Sequence, residues 1–576
     1  MAGMNGFLEY VVRGGIVERS LAERARIESE KSGESIVDAL CRVAKLAPAE
    51  VYRALAEYCE LPFMLLSRQQ IDPAIAARVP ARFATHYNFV PVAEKGGALV
   101  IAISDPMNHQ LLDDIRLVLR RRVEAVVTTP QEIARAIKEL YGVGADTVEK
   151  ILISSEHGET VLSIEQSPVS ADLGDESIDP SIIKFVNELI LEAIQSDTTD
   201  IHIEPFEDSL RVRYRIDGIL HQAPTPPSIR GFHSAIVSRI KIMANLNIAE
   251  KRLPQDGKIL ASFGDRHYDL RVSVLPTPHG ETVNIRILSR SSMALSLDQL
   301  GFLPEDLEQF NRYISKPYGI ILVTGPTGSG KTTTLYAALA KLNQVDRKII
   351  TIEDPIEYQL TGVTQMQVQP KIGFDFAMGL RSMLRHDPDI MLVGEIRDSE
   401  TAEMAIRSSL TGHLVLSTLH TNDSAGAVTR LIDMGIEPFL ISSTMIVSIA
   451  QRLVRRVCPQ CAEPVAPDPQ LLRWEFGVEP GQYGDARFMR GRGCEYCRHT
   501  GYRGRLAIYE MMPFTETIKD LTVRRANALE IKRQALKEGM KTLRHSGWRR
   551  VMSGDTTVEE VLRVTADAED IGVTRD

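Results

Sequence analysis

Residues 318–335 read Tyr-Gly-Ile-Ile-Leu-Val-Thr-Gly-Pro-Thr-Gly-Ser-Gly-Lys-Thr-Thr-Thr-Leu, and no other stretch so limits the folds open to this chain. The apolar run Ile320 to Val323 predicts a buried strand, Gly325 to Gly330 a glycine-rich loop, and Lys331-Thr332 the first turn of a helix. The spacing is G-x-x-x-x-G-K-T, and it carries weight because a strand precedes the loop and a helix follows it. Gly325, Gly328 and Gly330 let the backbone curl until several N–H groups point at one anion. The helix adds the positive end of its dipole. Gly325, Pro326, Thr327, Gly328, Ser329 and Gly330 are therefore expected to cradle the phosphates of a nucleotide such as ATP. Lys331 would neutralise the β- and γ-phosphates, and the Thr332 hydroxyl would ligate Mg²⁺.

A phosphate cradle alone does not hydrolyse anything. Two downstream strands end in carboxylates. Lys348 to Ile352 runs into Glu353-Asp354-Pro355-Ile356-Glu357, and Asp389 to Val393 runs into Gly394-Glu395. In a parallel sheet the ligand sits beyond the carboxyl ends of the strands, so both acidic clusters are expected to face the same crevice as Lys331. Carboxylates there can hold Mg²⁺ through its waters or polarise the attacking water. Gly394 stands where many such NTPases carry an aspartate, which leaves Glu395 as the expected catalytic carboxylate. The division of labour among Glu353, Asp354, Glu357 and Glu395 stays open. His413 and His420 bracket the apolar run Leu414 to Leu419. They have two readings, structural histidines or a sensor of the γ-phosphate.

At 576 residues the chain is too long for one core, and about three to five domains are expected. Residues 1–140 show helical spacing first, as in Ile36, Leu40 and Val43, then strand-like runs at Phe89 to Val92, Ala98 to Ile103 and Val123 to Thr128. A helix from about Asn108 to Arg121 separates the last two and ends in Arg120-Arg121-Arg122, a solvated helix end or a docking surface. Residues 142–178 carry weak patterning and read as a linker. Asp179-Pro180 caps a helix whose apolar face is Ile182, Phe185, Val186, Leu189, Ile190, Ala193 and Ile194. Arg211 to Ile216 alternates basic with apolar and ends in the hairpin turn Asp217-Gly218. Tyr268 to Leu275 and Val283 to Leu288 alternate likewise, placing Arg271 and Arg286 on the polar side. Two readings of these arginines stand. Arg211 and Arg213 are expected to line a solvated face, and Arg271 and Arg286 to meet the γ-phosphate of a neighbouring subunit's nucleotide, as arginine fingers do.

Four of the six cysteines form two C-x-x-C pairs, Cys458 with Cys461 and Cys494 with Cys497. Four thiolates at such corners can surround one Zn²⁺ tetrahedrally, which together with the low cysteine count predicts a reducing compartment. A net charge of −9 gives no overall basic field for nucleic acid or anionic lipid. Met1 to Gly14 lacks the basic start and apolar run of a secretory signal. The longest apolar stretch, Phe439 to Val454, is interrupted by Ser442, Ser443, Ser448, Gln451 and Arg452 and is not expected to span a bilayer.

With these residues in view the chain resembles the secretion traffic ATPases, most closely those of type II secretion, with the type IV pilus assembly ATPases as near cousins. The resemblance covers roughly residues 178–560. It rests on Thr199 to Glu204, Ala249 to Gly257, the phosphate loop, Thr351 to Glu357 (an Asp box), Val393 to Asp398 (a Walker B strand), Gly412 to His420 (a His box) and the paired cysteines. It implies a multidomain α/β fold: an N-terminal α/β partner-docking domain (1–140), a linker (141–177) and a PAS-like α+β domain (178–300). A RecA-like P-loop ATPase domain (301–455), a tetracysteine zinc module (456–505) and a helical C-terminal region (506–576) follow. It also implies catalytic roles for Glu395, Glu357, Glu353 and His420, and trans-acting roles for Arg271 and Arg286, with Arg381, Arg385 and Arg397 as further arginines of the nucleotide region. ATP, Mg²⁺ and Zn²⁺ are the implied ligands.

The expected assembly is a homo-hexamer, cytoplasmic and peripheral on the inner membrane. It would be recruited by the cytoplasmic domain of an inner-membrane secretion protein and would work on an inner-membrane platform protein. Some relatives bind cyclic di-GMP through an Arg-Leu-Gly start that Val12-Arg13-Gly14-Gly15 lacks. The function implied is a motor that drives pseudopilus assembly and exports folded proteins. A pilus-assembly motor and a nucleic-acid translocase are the alternatives, and the acidic balance speaks against the second.

Overall fold

The computed structural model describes residues 2–32, 35–66, 71, 75, 78–119, 121–141, 180–223, 225–264, 266–289, 296–479, 483–484 and 486–565. The expected linker, the Asp179 cap, Arg120 and the last residues of the tail lie outside the described residues. The chain divides into two units, Met1–Ser289 and Arg290–Asp576.

The first unit opens with the helices Ala2–Arg13, Arg19–Ser32, Ile36–Ala44 and Pro48–Tyr58. The third starts where the Ser35 hydroxyl accepts from the N–H groups of Val37 and Asp38, and ends where Lys45 turns to φ 53°. A three-stranded sheet follows: β1 (Val90–Lys95), β2 (Ala98–Ile103) and β3 (Val123–Val127). β1 and β2 are antiparallel, while β2 and β3 are parallel and joined through the helix His109–Leu119. These are the runs that alternation and helical spacing marked out.

Further along, the helix Pro180–Gln195 buries the whole apolar face expected of it. Its neighbours are β4 (Thr198–Pro205), β5 (Leu210–Ile216), β6 (Ile219–Gln222), β7 (Gln255–Phe263), β8 (Arg266–Thr277) and β9 (Gly280–Ser289). All pair antiparallel in the order β6-β5-β4-β9-β8-β7. β5 and β6 join through Asp217 and Gly218 at φ 49° and 85°, the positive angles of a two-residue hairpin turn. β4 and β7 were not legible as strands, because polar and charged residues crowd their alternation.

The second unit holds a seven-stranded sheet in the order β12-β11-β13-β14-β10-β15-β18. Its strands are β10 (Gly319–Thr324), β11 (Ile349–Glu353), β12 (Thr364–Gln367), β13 (Ile390–Val393), β14 (Leu414–Leu419), β15 (Met445–Val457) and β18 (Tyr502–Pro513). All neighbours are parallel except β15 and β18. Ile320 and Leu322 pack into one apolar cluster and Ile321 and Val323 into a second, which is why β10 is buried along its whole length and reads as a continuous apolar run. Between β15 and β18 sits a small hairpin of β16 (Ala462–Pro464) and β17 (Met489–Gly491) that carries the cysteines. The C-terminal region is helical as expected, with capped helices starting after Thr515, Asn527 and Thr542. It opens, however, with β18, which completes the main sheet. Among the described residues, no helix is long and apolar enough to cross a membrane.

Candidate active site

β10 runs straight into the glycine loop. Gly325 sits at φ 146°, and a Cβ there would lie 2.6 Å from the Gln451 carbonyl oxygen and 2.7 Å from the Ser329 hydroxyl, so only glycine fits. Gly330, at φ 87°, caps the helix Lys331–Leu342. The Lys331 ammonium donates to the carbonyls of Gly325 (2.9 Å) and Pro326 (3.1 Å), folding the side chain back over the loop. Burial pushes its pKa down to about 8; the Glu395 carboxylate acts against that shift and the Arg452 guanidinium with it. The Ser329 hydroxyl is buried with no hydrogen-bond partner. An orphaned hydroxyl, an ammonium held by two weak acceptors and a helix N-terminus at one loop fit a phosphate group.

Gln451, fully buried on β15, holds this loop from below. Its amide nitrogen donates to the Ser329 carbonyl (2.9 Å), and its oxygen accepts from the Thr334 hydroxyl (2.9 Å) in the following helix. Sequence reading missed it. The signal was a glutamine inside an apolar run, where a buried amide must be spent on hydrogen bonds.

At the same edge of the sheet, Glu395 follows β13. His420 Nε2 lies 3.0 Å from one of its oxygens, and Arg397 pairs with the other. Arg397 also reaches Asp354 at 3.6 Å. The structure thus brings Glu395, His420, Arg397, Asp354 and Lys331 to one locality. A Cβ on Gly394 would lie 3.3 Å from the Glu353 Cα, a physical reason for glycine where an aspartate was the familiar choice.

Other expected residues stand apart. Glu353 is buried and accepts from the hydroxyls of Tyr336 and Thr351 (2.5 Å for the second) and from the Gln365 amide (3.2 Å). Burial raises its pKa despite those bonds. Its side chain is spent on tying β11 and β12 to the helix behind the loop. Tyr336, also missed, binds the Asp box at a second point by accepting from the Glu357 N–H at 3.4 Å. His413 lies at the opposite end of β14 from His420, its Nδ1 2.8 Å from the Ser408 carbonyl oxygen and 3.1 Å from the Thr411 hydroxyl. The two histidines do not form one sensor. Arg381 pairs with Glu400 at 2.5 Å, and Arg385 donates to the Arg381 carbonyl.

Arg271 and Arg286 belong to the first unit, where they are direct cross-strand partners on β8 and β9. Arg286 Nε donates to Asp200 at 2.9 Å. Arg213, expected on a solvated face, forms a two-pronged pair with Glu204 (2.9 Å for each bond), and Arg211 lies over the Phe206 ring at 4.6 Å.

The sulfurs of Cys458, Cys461, Cys494 and Cys497 all lie within 4.8 Å of one another. The pairs 458–494, 461–497 and 494–497 are 3.8, 3.7 and 3.7 Å apart. A tetrahedron with Zn–S bonds of about 2.3 Å has edges of about 3.8 Å, so this donor set fits zinc. Backbone N–H groups already point at the sulfurs, from Gly493 to Cys461 (3.3 Å) and from Cys494 and Gly501 to Cys497 (3.2 and 3.3 Å). Burial drives Cys461 up to about 12. At Cys497 burial also acts upwards, but the N–H groups of Cys494 and Gly501 and hydrogen bonds from the Cys461 and Cys494 thiols together bring the thiol down to about 7.

The family model for type II/IV secretion system proteins matches residues 175–563, and that for the MshEN domain matches residues 59–147. The chain is 41% identical over 568 residues to the type IV pilus assembly ATPase PilB of Myxococcus xanthus, covering 98% of this chain and 99% of that one. It is 50% identical over 403 residues to type II secretion system protein E of Pseudomonas aeruginosa, covering 70% and 79%. Among solved structures it is similar in fold to the Legionella pneumophila ATPase DotB, with a TM-score of 0.50 at 20% identity over 67% of this chain and 96% of that one.

Proposed function

Because the chain belongs to the type II/IV secretion system protein family, we propose that it is the ATPase motor of a type II secretion system, driving pseudopilus assembly and the export of folded proteins across the outer membrane. The observation that supports this most is the gathering of Lys331, Glu395, His420 and Arg397 at the carboxyl edge of a parallel sheet. The loop 325–330 and Lys331 hold the β- and γ-phosphates of ATP. Glu395, fixed by His420 on one oxygen and Arg397 on the other, orients the attacking water and takes its proton. The Thr332 hydroxyl, with waters on the nearby carboxylates, would hold Mg²⁺, which would supply charge neutralisation at the phosphates. Glu353 acts through Tyr336, whose hydroxyl also holds the Glu357 N–H, keeping the Asp box in register with the loop. The assembly is a homo-hexamer on the cytoplasmic face of the inner membrane. The N-terminal domain docks on the cytoplasmic domain of an inner-membrane partner, and the motor works on a platform protein beside it.

A specific observation favours pilus assembly as the second reading: the pilus ATPase relative aligns over nearly the whole chain. A chromosomal Glu395→Gln substitution separates the two. Hydrolysis by the purified variant is expected to fall about 10²- to 10³-fold in kcat with little change in KM. The strain should lose exoenzyme halos and keep twitching motility. Intact halos with lost twitching would move the protein to pilus assembly.

Zinc is architectural in this reading, closing the hairpin of β16 and β17. Wild-type protein should contain about one zinc per chain, and Cys461→Ser less than about a tenth of that, with protease cleavage appearing between residues 458 and 501. Pure wild-type protein without zinc by metal analysis removes the assignment.

A further inference from the structure

His420 leads into the segment Thr421–Ser424, and this segment is held by charges from distant parts of the second unit. Lys532, on the helix Ala528–Lys537, is 1% exposed, and its ammonium lies 3.3 Å from Asp423 and 3.7 Å from Glu510 of β18. Glu510, with no exposure at all, accepts from the Ser424 N–H at 3.0 Å and from its hydroxyl at 2.6 Å. Asp423 uses its other oxygen to accept from the Gly426 N–H at 2.8 Å, opening the helix Gly426–Asp433. Its carbonyl accepts from the hydroxyls of Thr421 (2.9 Å) and Thr324 (3.4 Å), the latter being the last residue before Gly325. Arg452 donates to the Asn422 carbonyl at 2.8 Å.

Asn422, Asp423 and Ser424 are thus pinned from β10, β15, β18 and a C-terminal helix, and Thr421 is bonded back onto Asp423. Stability alone does not account for the choice of residues. Burying one ammonium beside a fully buried and a partly buried carboxylate forfeits hydration that their attraction scarcely returns, and apolar residues of the same size hold such a site as well. What a buried charge cluster does give is a unique position for each member, because any displacement leaves a charge unpaired. The member that gains from a unique position is the residue next to Thr421.

We propose that Lys532 is a positioning residue for ATP hydrolysis. Through Asp423 and Glu510 it fixes the segment Thr421–Ser424 and so holds His420 against Glu395, a role that rests on the catalytic reading of those two residues. The C-terminal helix is thereby wired to the site where water is activated.

The test uses the full chain and reads kcat, KM for ATP and the affinity for a fluorescent ATP analogue. Lys532→Met is expected to lower kcat about tenfold, leaving KM and analogue affinity within about twofold, because the phosphate loop is untouched. Lys532→Arg should restore at least half of wild-type kcat, since its charge still reaches both carboxylates. In a His420→Ala background, Lys532→Met should cost nothing further, because its effect passes through that imidazole. Where the buried Glu510 carboxylate prevents Lys532→Met from folding, Lys532→Met with Glu510→Gln removes that stranded charge and faces the same kcat comparison. Wild-type kcat in a folded Lys532→Met variant overturns the proposal. So does a full tenfold loss on top of an impaired His420→Ala. A His420→Ala variant that itself retains wild-type kcat overturns both the proposal and the catalytic reading beneath it.

Discussion

Lys331→Ala is expected to reduce ATP hydrolysis at least about a thousandfold while the fold persists. Two features set the size of this effect. The ammonium is anchored over the loop by the carbonyls of Gly325 and Pro326, so the charge that binds phosphate is in place before ATP arrives. It is also buried, and a charge in such surroundings acts on a phosphate far more strongly than one in water. Alanine leaves the loop intact, since Gln451 grips the Ser329 carbonyl and not the lysine. The same burial gives the site a proton linkage. Burial brings the free ammonium down to about 8. Bound phosphates favour its charged form and raise that pKa, so nucleotide affinity is full at lower pH and declines as pH climbs past this point. At about pH 9 the loss is about tenfold. Phosphate release by purified protein measures the first effect and nucleotide titration across pH the second. Unchanged hydrolysis in Lys331→Ala refutes the site assignment.

The phosphate loop was legible because its physics is local: strand, glycines, lysine and helix are contiguous, and nothing distant has to be known. The cysteine cluster was legible for a related reason, since each C-x-x-C corner is a local geometry and only the pairing of corners is not. Glu353 and Glu395 looked alike in sequence, each at the carboxyl end of a strand. What separates them is Tyr336, whose hydroxyl faces Glu353 across the helix–sheet packing and draws that carboxylate inwards. No spacing rule contains that fact. His413 and His420 illustrate the same limit, because flanking a strand puts two residues at opposite ends of it, about 20 Å apart for a six-residue strand. Gln451 and Lys532 were out of reach for the opposite reason. Each acts on a segment far away in sequence, and only β15 and β18 closing the sheet bring them there.

Substituting Arg271 or Arg286 by alanine is expected to lower kcat about a thousandfold or more while the fold persists. The cross-strand register states the case. Lys258, Arg271, Arg286, Asp200 and Arg215 are successive partners across β7, β8, β9, β4 and β5, a row with four cations and one carboxylate. Like charges directly opposite each other on a sheet destabilise it, so folding alone would not select this row. Asp200 holds Arg286 at 2.9 Å and stands 4.0 Å from Arg215, and Asp269 holds Lys258 at 2.8 Å. Asp200 and Asp269 orient the members they hold. We propose that the row meets the γ-phosphate on a neighbouring subunit's loop, the anion that a ring of motor subunits would present. Mixing separates this from a site completed within one chain. Lys331→Ala protein lacks the lysine but keeps both arginines, and Arg286→Ala protein has the reverse defect. If the guanidinium groups act across a subunit boundary, an equimolar mixture of the two inactive proteins regains hydrolysis at about a quarter of its boundaries, each pairing an intact loop with intact arginines. A mixture as inactive as its components would confine the arginines to their own chain or take them out of the reaction.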